Sequence, residues 1–210
     1  VAAMSAQRAL SLPHPPGQGP FRTKGVVFIG VRNWYSHETA FGYDRPRAAL
    51  NSDVAAFLDQ RFLAASWYDY LPLFLLYRET AKLSNKPIRT IESALGRHSA
   101  ERDLHGVYKF LLKLTSPHSA MSFMPRVWHQ YFSFGSAEVV PRGPSSATFI
   151  VHGFPSDFAE DFEGILEGWI AIVLEYAGAA DVVSEPGKLH PDGRVHGVGT
   201  SRIEIPIRWR

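Results

Sequence analysis

Cysteine is absent from all 210 residues, which removes disulfides, thiolate metal sites, a thiol nucleophile and thioester-linked lipids together. Charge of one sign is also scarce. Twenty-two basic against twenty acidic residues leave a formal +2, too weak a field to draw the chain onto nucleic acid or an anionic membrane. No apolar run approaches the roughly 20 residues that cross a bilayer, and the longest candidate, residues 169–173, is flanked by Glu167 and Glu175. Residues 1–12 lack the apolar block and cleavage pattern of a secretory signal. No fixed-period repeat is present. These absences lead us to expect a cytoplasmic protein with no nucleic-acid partner and no membrane insertion.

What is present is enough apolar and aromatic side chain for one sizeable core. Pro13, Pro15, Pro16, Gly17, Gly19 and Pro20 crowd one stretch, so residues 11–20 read as a linker. The expected division is a disordered leader or linker over 1–22 and one ligand-binding-like domain over 23–210. Residues 25–31 are β-branched and bounded by glycine, predicting a short strand, and 32–47 read as loop. Leu50, Val54, Phe57, Leu58 and Phe62 recur at helical steps. A second helix follows Pro72, with Leu73, Leu76, Tyr77 and Leu83 as its stripe, ending at Asn85 and Pro87. Ile88, Ile91 and Leu95 begin another, which either breaks at Gly96 or continues through Leu104 and Tyr108 to Leu111.

Pro117 opens a segment in which Met121, Met124, Val127, Trp128 and Tyr131 repeat at helical spacing, with Pro125 expected to kink or restart it. Residues 137–140 and 147–152 predict a hairpin with a longish loop. Phe158, Phe162, Ile165, Leu166, Trp169, Ile172, Val173 and Tyr176 mark the clearest helix, closed by Gly178. A strand over 180–184, a turn at residues 190–193 and a last strand follow. There Ile203, Ile205, Ile207 and Trp209 alternate with polar residues, and Pro206, lacking a ladder donor, favours a sheet edge. The fold class is α+β: several helices packed on a small antiparallel sheet in a single domain.

Chemistry-bearing patterns are few. Strand residues 150–151 followed by His152-Gly153-Phe154-Pro155 resemble the oxyanion-hole loop of α/β-hydrolases, but no downstream Gly-x-Ser-x-Gly or aspartate equivalent supplies a nucleophile elbow. Among nine histidines, His98 and His105 lie two turns apart, roughly 10 Å along a helix, too far to chelate one ion. Glu101 with His105, and His190 with His196, are the remaining metal candidates. Glu160, Glu163 and Glu167 fall opposite the apolar stripe and read as a solvated face. Gly197-x-Gly199 lacks the third glycine and following helix of a nucleotide site.

Aromatic density is the unusual feature. Most of these rings belong to a core. The functional alternative is an apolar pocket between helices and sheet, with Trp67, Tyr70, Phe74, Trp128, Tyr131 and Phe132 as ligand-binding residues and His118 and His129 at the rim.

Lys24-Gly25-Val26, Trp67-Tyr68 with Pro72, Gly96-Arg97 with Ala100, Tyr108 with Leu111 and Leu112, Ser116-Pro117 and Ile207-Arg208-Trp209 resemble a paralogous domain family of unknown function found in many copies in myxobacteria. That family is distantly similar to a ligand-binding superfamily of haem-dependent nitric-oxide sensors, four-vinyl-reductase-type domains and transport-particle subunits. The resemblance implies a bacterial regulatory protein whose helices pack on an antiparallel sheet around a hydrophobic pocket. The haem sensors use Tyr-x-Ser-x-Arg; Tyr131-Phe132-Ser133-Phe134-Gly135 keeps the tyrosine and serine and puts glycine at the arginine position. The zinc-bearing and acylated relatives use cysteines that this chain lacks.

The resulting expectation is a noncatalytic sensor or regulatory domain binding a small hydrophobic ligand, with no required cofactor and haem left open. A homodimeric interaction or scaffold module is the alternative, resting on edge-strand Pro206 and an aromatic surplus at the surface. A hydrolase using residues 152–155 is third.

Overall fold

The computed structural model describes residues 10–105 and 116–210. The helices among them are α1 (Gly25–Glu38), α2 (Asp44–Ala48), α3 (Ser52–Asp59), α4 (Pro72–Ser84), α5 (Ile88–His105), α6 (Pro117–Tyr131) and α7 (Ala159–Tyr176). The strands are β1 (Arg22–Lys24), β2 (Trp67–Asp69), β3 (Ser136–Gly143), β4 (Ser146–Pro155), β5 (Val183–Ser184), β6 (Lys188–Val195) and β7 (Val198–Arg208). Helices therefore pack with two small antiparallel sheets, one pairing β1 with β2 and one of five strands, the α+β class that the periodicities predict.

Several helix boundaries follow local rules. The Asn51 side chain accepts the Val54 N–H at the start of α3, and Ser116 does the same for Ser119 at α6. Pro72 and Pro117 occupy first turns, where a missing N–H costs nothing. Asn85 closes α4 in the left-handed conformation, φ 50°. Helix α5 runs through Gly96, and α6 runs through Pro125 with no break. Met121, Met124 and Trp128 are buried on both sides of that proline, so packing holds both halves against the same core. Tyr108, Leu111 and Leu112 lie outside the described residues.

The strand expected over 25–31 is helix α1, and α1 and α2 occupy much of the expected loop over 32–47. Buried Phe28, Val31, Trp34 and Tyr35 recur at steps of three, three and one, a helical face that straddles the assumed boundary. Burying that face outweighed the β-propensity of the Val-rich half.

In the five-stranded sheet, β3, β4, β7 and β5 are neighbours in that order, with β6 also pairing β7. Pro206 is consequently in a central strand. It stands opposite Thr148 of β4, and its carbonyl accepts the Glu185 N–H on the other side. Its missing N–H thus falls at the gap between the end of β5 and the start of β6, where no ladder partner is required. The turn expected at residues 190–193 lies within β6 as a register irregularity between Pro191 and Arg194. The chain reverses instead at His196 and Gly197, both with positive φ, as a tight hairpin demands. The β3–β4 connection is also tighter than expected, with only Pro144 and Ser145 between the strands.

Helix α7 is covered on both sides. Phe162 stacks on Phe154 of β4 with ring centroids 4.1 Å apart, while α5 crosses the opposite face. The crossing is close because a Cβ at Gly96 would lie 2.0 Å from the Ile165 carbonyl oxygen, and one at Gly168 would lie 2.1 Å from that of Ser93. This contact corrects the solvated-face reading of the glutamates. Glu163 is buried and accepts from Arg89 and from the Gly187 N–H, and Glu167 also pairs with Arg89; Glu160 alone of the three is exposed.

Residues 11–20, expected as a linker, contain no helix or strand yet pack on the domain together with Leu10. The Gly17 and Gly19 N–H groups donate to buried Asp69, and Leu10 and Leu12 touch the core. The boundary expected between residues 22 and 23 falls inside β1. Among the described residues no helix is long and apolar enough to cross a membrane.

Candidate functional site

A partly enclosed cavity of about 90 Å³ lies between α1, α4, α5, α6, α7 and β4. Its deep walls are Tyr70, Tyr77, Leu95, Met124, Trp128 and Phe162, all buried. Its outer walls are half-buried Val27, Ser99, Arg102, Tyr131, Ile165 and Trp169. The gradation from wet rim to dry interior is that of a small-molecule site. An engineered apolar cavity of about 150 Å³ holds benzene, so the space here suits a ligand of that order or smaller.

The elements place the lining by simple spacing. Leu95, Ser99 and Arg102 are one turn apart on α5, and Phe162, Leu166 and Trp169 do the same on α7. Tyr70 sits at the entry to α4, fixed by its N–H donating to the Phe21 carbonyl. The Trp128 indole donates to the Phe134 carbonyl at 2.8 Å, and Phe132 packs on that indole with centroids 4.5 Å apart.

Of the six residues singled out from sequence, Tyr70, Trp128, Tyr131 and Phe132 line this cavity together. Trp67 is elsewhere, in β2, with the Lys24 ammonium 4.1 Å from its ring centroid. Phe74 is fully buried among Tyr70, Tyr77, Phe154 and Phe158 and does not reach the cavity surface. His118 packs on Trp209, and neither His118 nor His129 lines the cavity. Tyr77, Phe162 and Trp169 were legible as helical stripes, but spacing alone does not distinguish a ring facing a void from one facing another ring.

The polar groups divide into a satisfied rim and an unsatisfied interior. At the rim, Arg102 pairs with Asp103 at 3.0 Å and donates to the Val26 carbonyl, while the Tyr131 hydroxyl donates to Asp103 at 2.8 Å. Inside, Tyr70 and Tyr77 are each 2% exposed, and neither hydroxyl has a hydrogen-bond partner among the described residues. Burial pushes both phenols well above their ordinary pKa, with nearby Glu92 adding to the shift, so both remain protonated donors.

Behind this wall, Glu92 of α5 is 1% exposed and its Oε1 has no partner. Burial pushes its carboxyl up to about 10, with a further rise from Asp161 opposed by Arg78 and Arg89. It is therefore neutral at pH 7. Next to it, Arg78 grips Asp161 through two hydrogen bonds of 2.7 and 2.9 Å.

The remaining sequence candidates are dispersed. His152 contacts Glu138 at 3.1 Å and Asp192 at 3.6 Å. The Gly153 N–H, which an oxyanion hole would need, donates to the Asp192 carboxylate at 2.8 Å. His190 faces Glu204 at 3.8 Å. Among the described residues, no three histidines or acids gather as an ion site.

No family model and no curated protein matches this chain. Solved structures do. A Cs H-NOX mutant carrying 4-cyano-L-phenylalanine at site 5 is 13% identical with a TM-score of 0.65, covering 89% of this chain and 96% of that one. The Fe(II) unliganded H-NOX protein from K. algicida is 12% identical with a TM-score of 0.61, over 89% and 96%. An oxygen-binding H-NOX domain related to soluble guanylate cyclases is 14% identical with a TM-score of 0.58, over 89% and 92%. The chain shares the fold of these domains.

Among the described residues, the cavity lining does not fit a haem. Pockets for larger ligands run to roughly 300–1,000 Å³, several times the space found here. Among the described residues no histidine lines the cavity to serve as an axial ligand. Tyr131 and Ser133 of the partial signature are engaged with Asp103 and the Arg22 carbonyl, respectively, and Gly135 offers no guanidinium for a propionate.

Proposed function

We propose that this domain is a noncatalytic sensor or regulatory module that takes a small hydrophobic ligand, without haem, into the cavity between its helices and β4. The observation that carries the reading is the aromatic-lined cavity itself, walled by six elements and graded from a polar rim to a dry interior. One of the structures sharing the fold is an oxygen-binding domain, which supports treating this interior as a small-ligand site. The placement of His152 and His190 on the sheet, away from the cavity, supports the absence of catalysis. Four of the six residues proposed from sequence, Tyr70, Trp128, Tyr131 and Phe132, form the binding wall in this reading, and membership in the myxobacterial paralogous family and a cytoplasmic location belong to the same proposal.

The scaffold alternative loses its two motivations, since Pro206 is central and most of the aromatic surplus is buried. The large exposed apolar residues, such as Ile29, Leu63, Phe123 and Leu189, are distributed over separate elements and loops.

The test is thermal unfolding with methylenecyclohexane as probe. Ligand binding to the native state raises the midpoint, and Val31→Phe, which fills the cavity from α1, should abolish the rise. Added haemin should give no stoichiometric protein-bound Soret band. A wild-type midpoint unchanged both by methylenecyclohexane and by its ketone counterpart cyclohexanone, or a one-to-one haem complex, would overturn the reading.

A further inference from the structure

The interior of the cavity is not uniformly apolar, and its exceptions all point the same way. Tyr70 and Tyr77 bring two hydroxyls to a deep wall otherwise made by Leu95, Met124, Trp128 and Phe162, and neither finds an acceptor among the described residues. By contrast, the Tyr35 hydroxyl pairs with Thr80, and the Trp128 indole with the Phe134 carbonyl. A buried donor left unpaired is costly, and native interiors avoid it. Phenylalanine would fill the same volume at either position without that cost. Two stranded donors beside one cavity therefore mark where an acceptor enters.

The acceptor must be neutral. Among the described residues, the one guanidinium in the lining, Arg102, is at the rim and is already held by Asp103 and the Val26 carbonyl. An anion would lose its hydration and meet only uncharged phenols in the deep wall, with Arg102 already engaged at the rim. A carbonyl oxygen has two lone pairs and takes hydrogen bonds from one or two phenols without bringing charge.

Resting on the small-ligand reading of this cavity, we infer that its ligand is a small neutral carbonyl compound, held by its apolar body against Trp128 and Phe162 and by its oxygen against the Tyr70 and Tyr77 hydroxyls. These tyrosines are then specificity-determining: they reward an accepting oxygen and penalise a hydrocarbon of the same shape, because the hydrocarbon leaves both donors buried and unpaired.

Two probes of nearly equal size separate this inference from the reading beneath it: cyclohexanone, with an accepting oxygen, and methylenecyclohexane, without one. Dissociation constants are measured by calorimetry for the wild type, Tyr70→Phe, Tyr77→Phe and the double variant. Because the probes differ in hydration, the informative quantity is the change in their affinity ratio between proteins. The double variant should shift that ratio about tenfold or more against cyclohexanone, by weakening the ketone while methylenecyclohexane binds as well or better. In the wild type, the carbonyl stretching band of bound ¹³C-labelled cyclohexanone should move to lower frequency, a readout that does not require the variants to fold. If both probes bind and neither the ratio nor the band shifts, the phenols do not select a carbonyl and water is their ordinary partner; the cavity reading survives and this inference falls. If methylenecyclohexane binds and cyclohexanone does not, the inference falls as well. If neither binds the wild type, both readings fall.

Discussion

Replacing Glu92 with glutamine should stabilise this domain at neutral pH, the reverse of what removing a partner from a cluster of ion pairs ordinarily does. Glu92 stands beside Arg78, Arg89 and Asp161, yet it makes no hydrogen bond through Oε1 and is 1% exposed. Burial, followed by Asp161, raises its carboxyl from 4.5 to about 10. Since the folded-state value lies above the unfolded one, the carboxyl favours folding fully below about pH 4.5, and that contribution is lost as pH rises towards 10. Neutral pH lies two and a half units into this window. At about 1.4 kcal/mol per unit, the native carboxyl costs roughly 3 kcal/mol at pH 7 relative to a side chain that never ionises. Glutamine supplies such a side chain with nearly the same shape. Guanidinium unfolding of both proteins at pH 5, 7 and 9 should show a small difference at pH 5 that widens with pH in favour of Glu92→Gln. A difference that does not change with pH would refute the argument. So would a loss of about 3–5 kcal/mol at pH 7, the signature of breaking a buried ion pair.

Two further outcomes test the packing around the site. Gly168→Ala should lower the guanidinium midpoint by an amount equivalent to about 1–3 kcal/mol, although alanine is the better helix former by nearly 1 kcal/mol, because the new methyl would lie 2.1 Å from the Ser93 carbonyl oxygen; a raised midpoint would show that α5 and α7 separate freely. Arg78→Met should cost about 3–5 kcal/mol by leaving Asp161 charged and buried. Adding Asp161→Leu should restore much of that loss, and equal instability of the single and double variants in urea titrations would contradict the pairing.

The sequence by itself determined the class of this protein and most of its helices. Apolar residues at three- and four-residue steps, with Pro72, Pro117 and Asn85 as start and stop signals, specify α3, α4, α6 and α7, because those rules act within a few residues of chain. The alternation from Ile203 to Trp209 specified a strand with one buried face for the same reason. Local rules failed where the deciding contact is distant. Residues 25–31 have strand-like composition, and only the core that receives Phe28, Val31, Trp34 and Tyr35 makes them helical. Pro206 reads as an edge residue until the break between β5 and β6 is seen to absorb its missing donor. Glu163 reads as solvated until α5 crosses at Gly96 and Gly168 and delivers Arg89.

The candidate site divides along the same line. An unusual density of aromatic residues is a property of composition, and it pointed to Tyr70, Trp128, Tyr131 and Phe132. Whether a ring meets another ring or an open space depends on how six elements from distant parts of the chain converge. Tertiary structure therefore decided that Phe74 is core, that Trp67 lies outside the cavity, and that Tyr70 and Tyr77 reach the interior without acceptors. Hydrogen-bond satisfaction is a relation between groups brought together by folding, and no residue carries it alone.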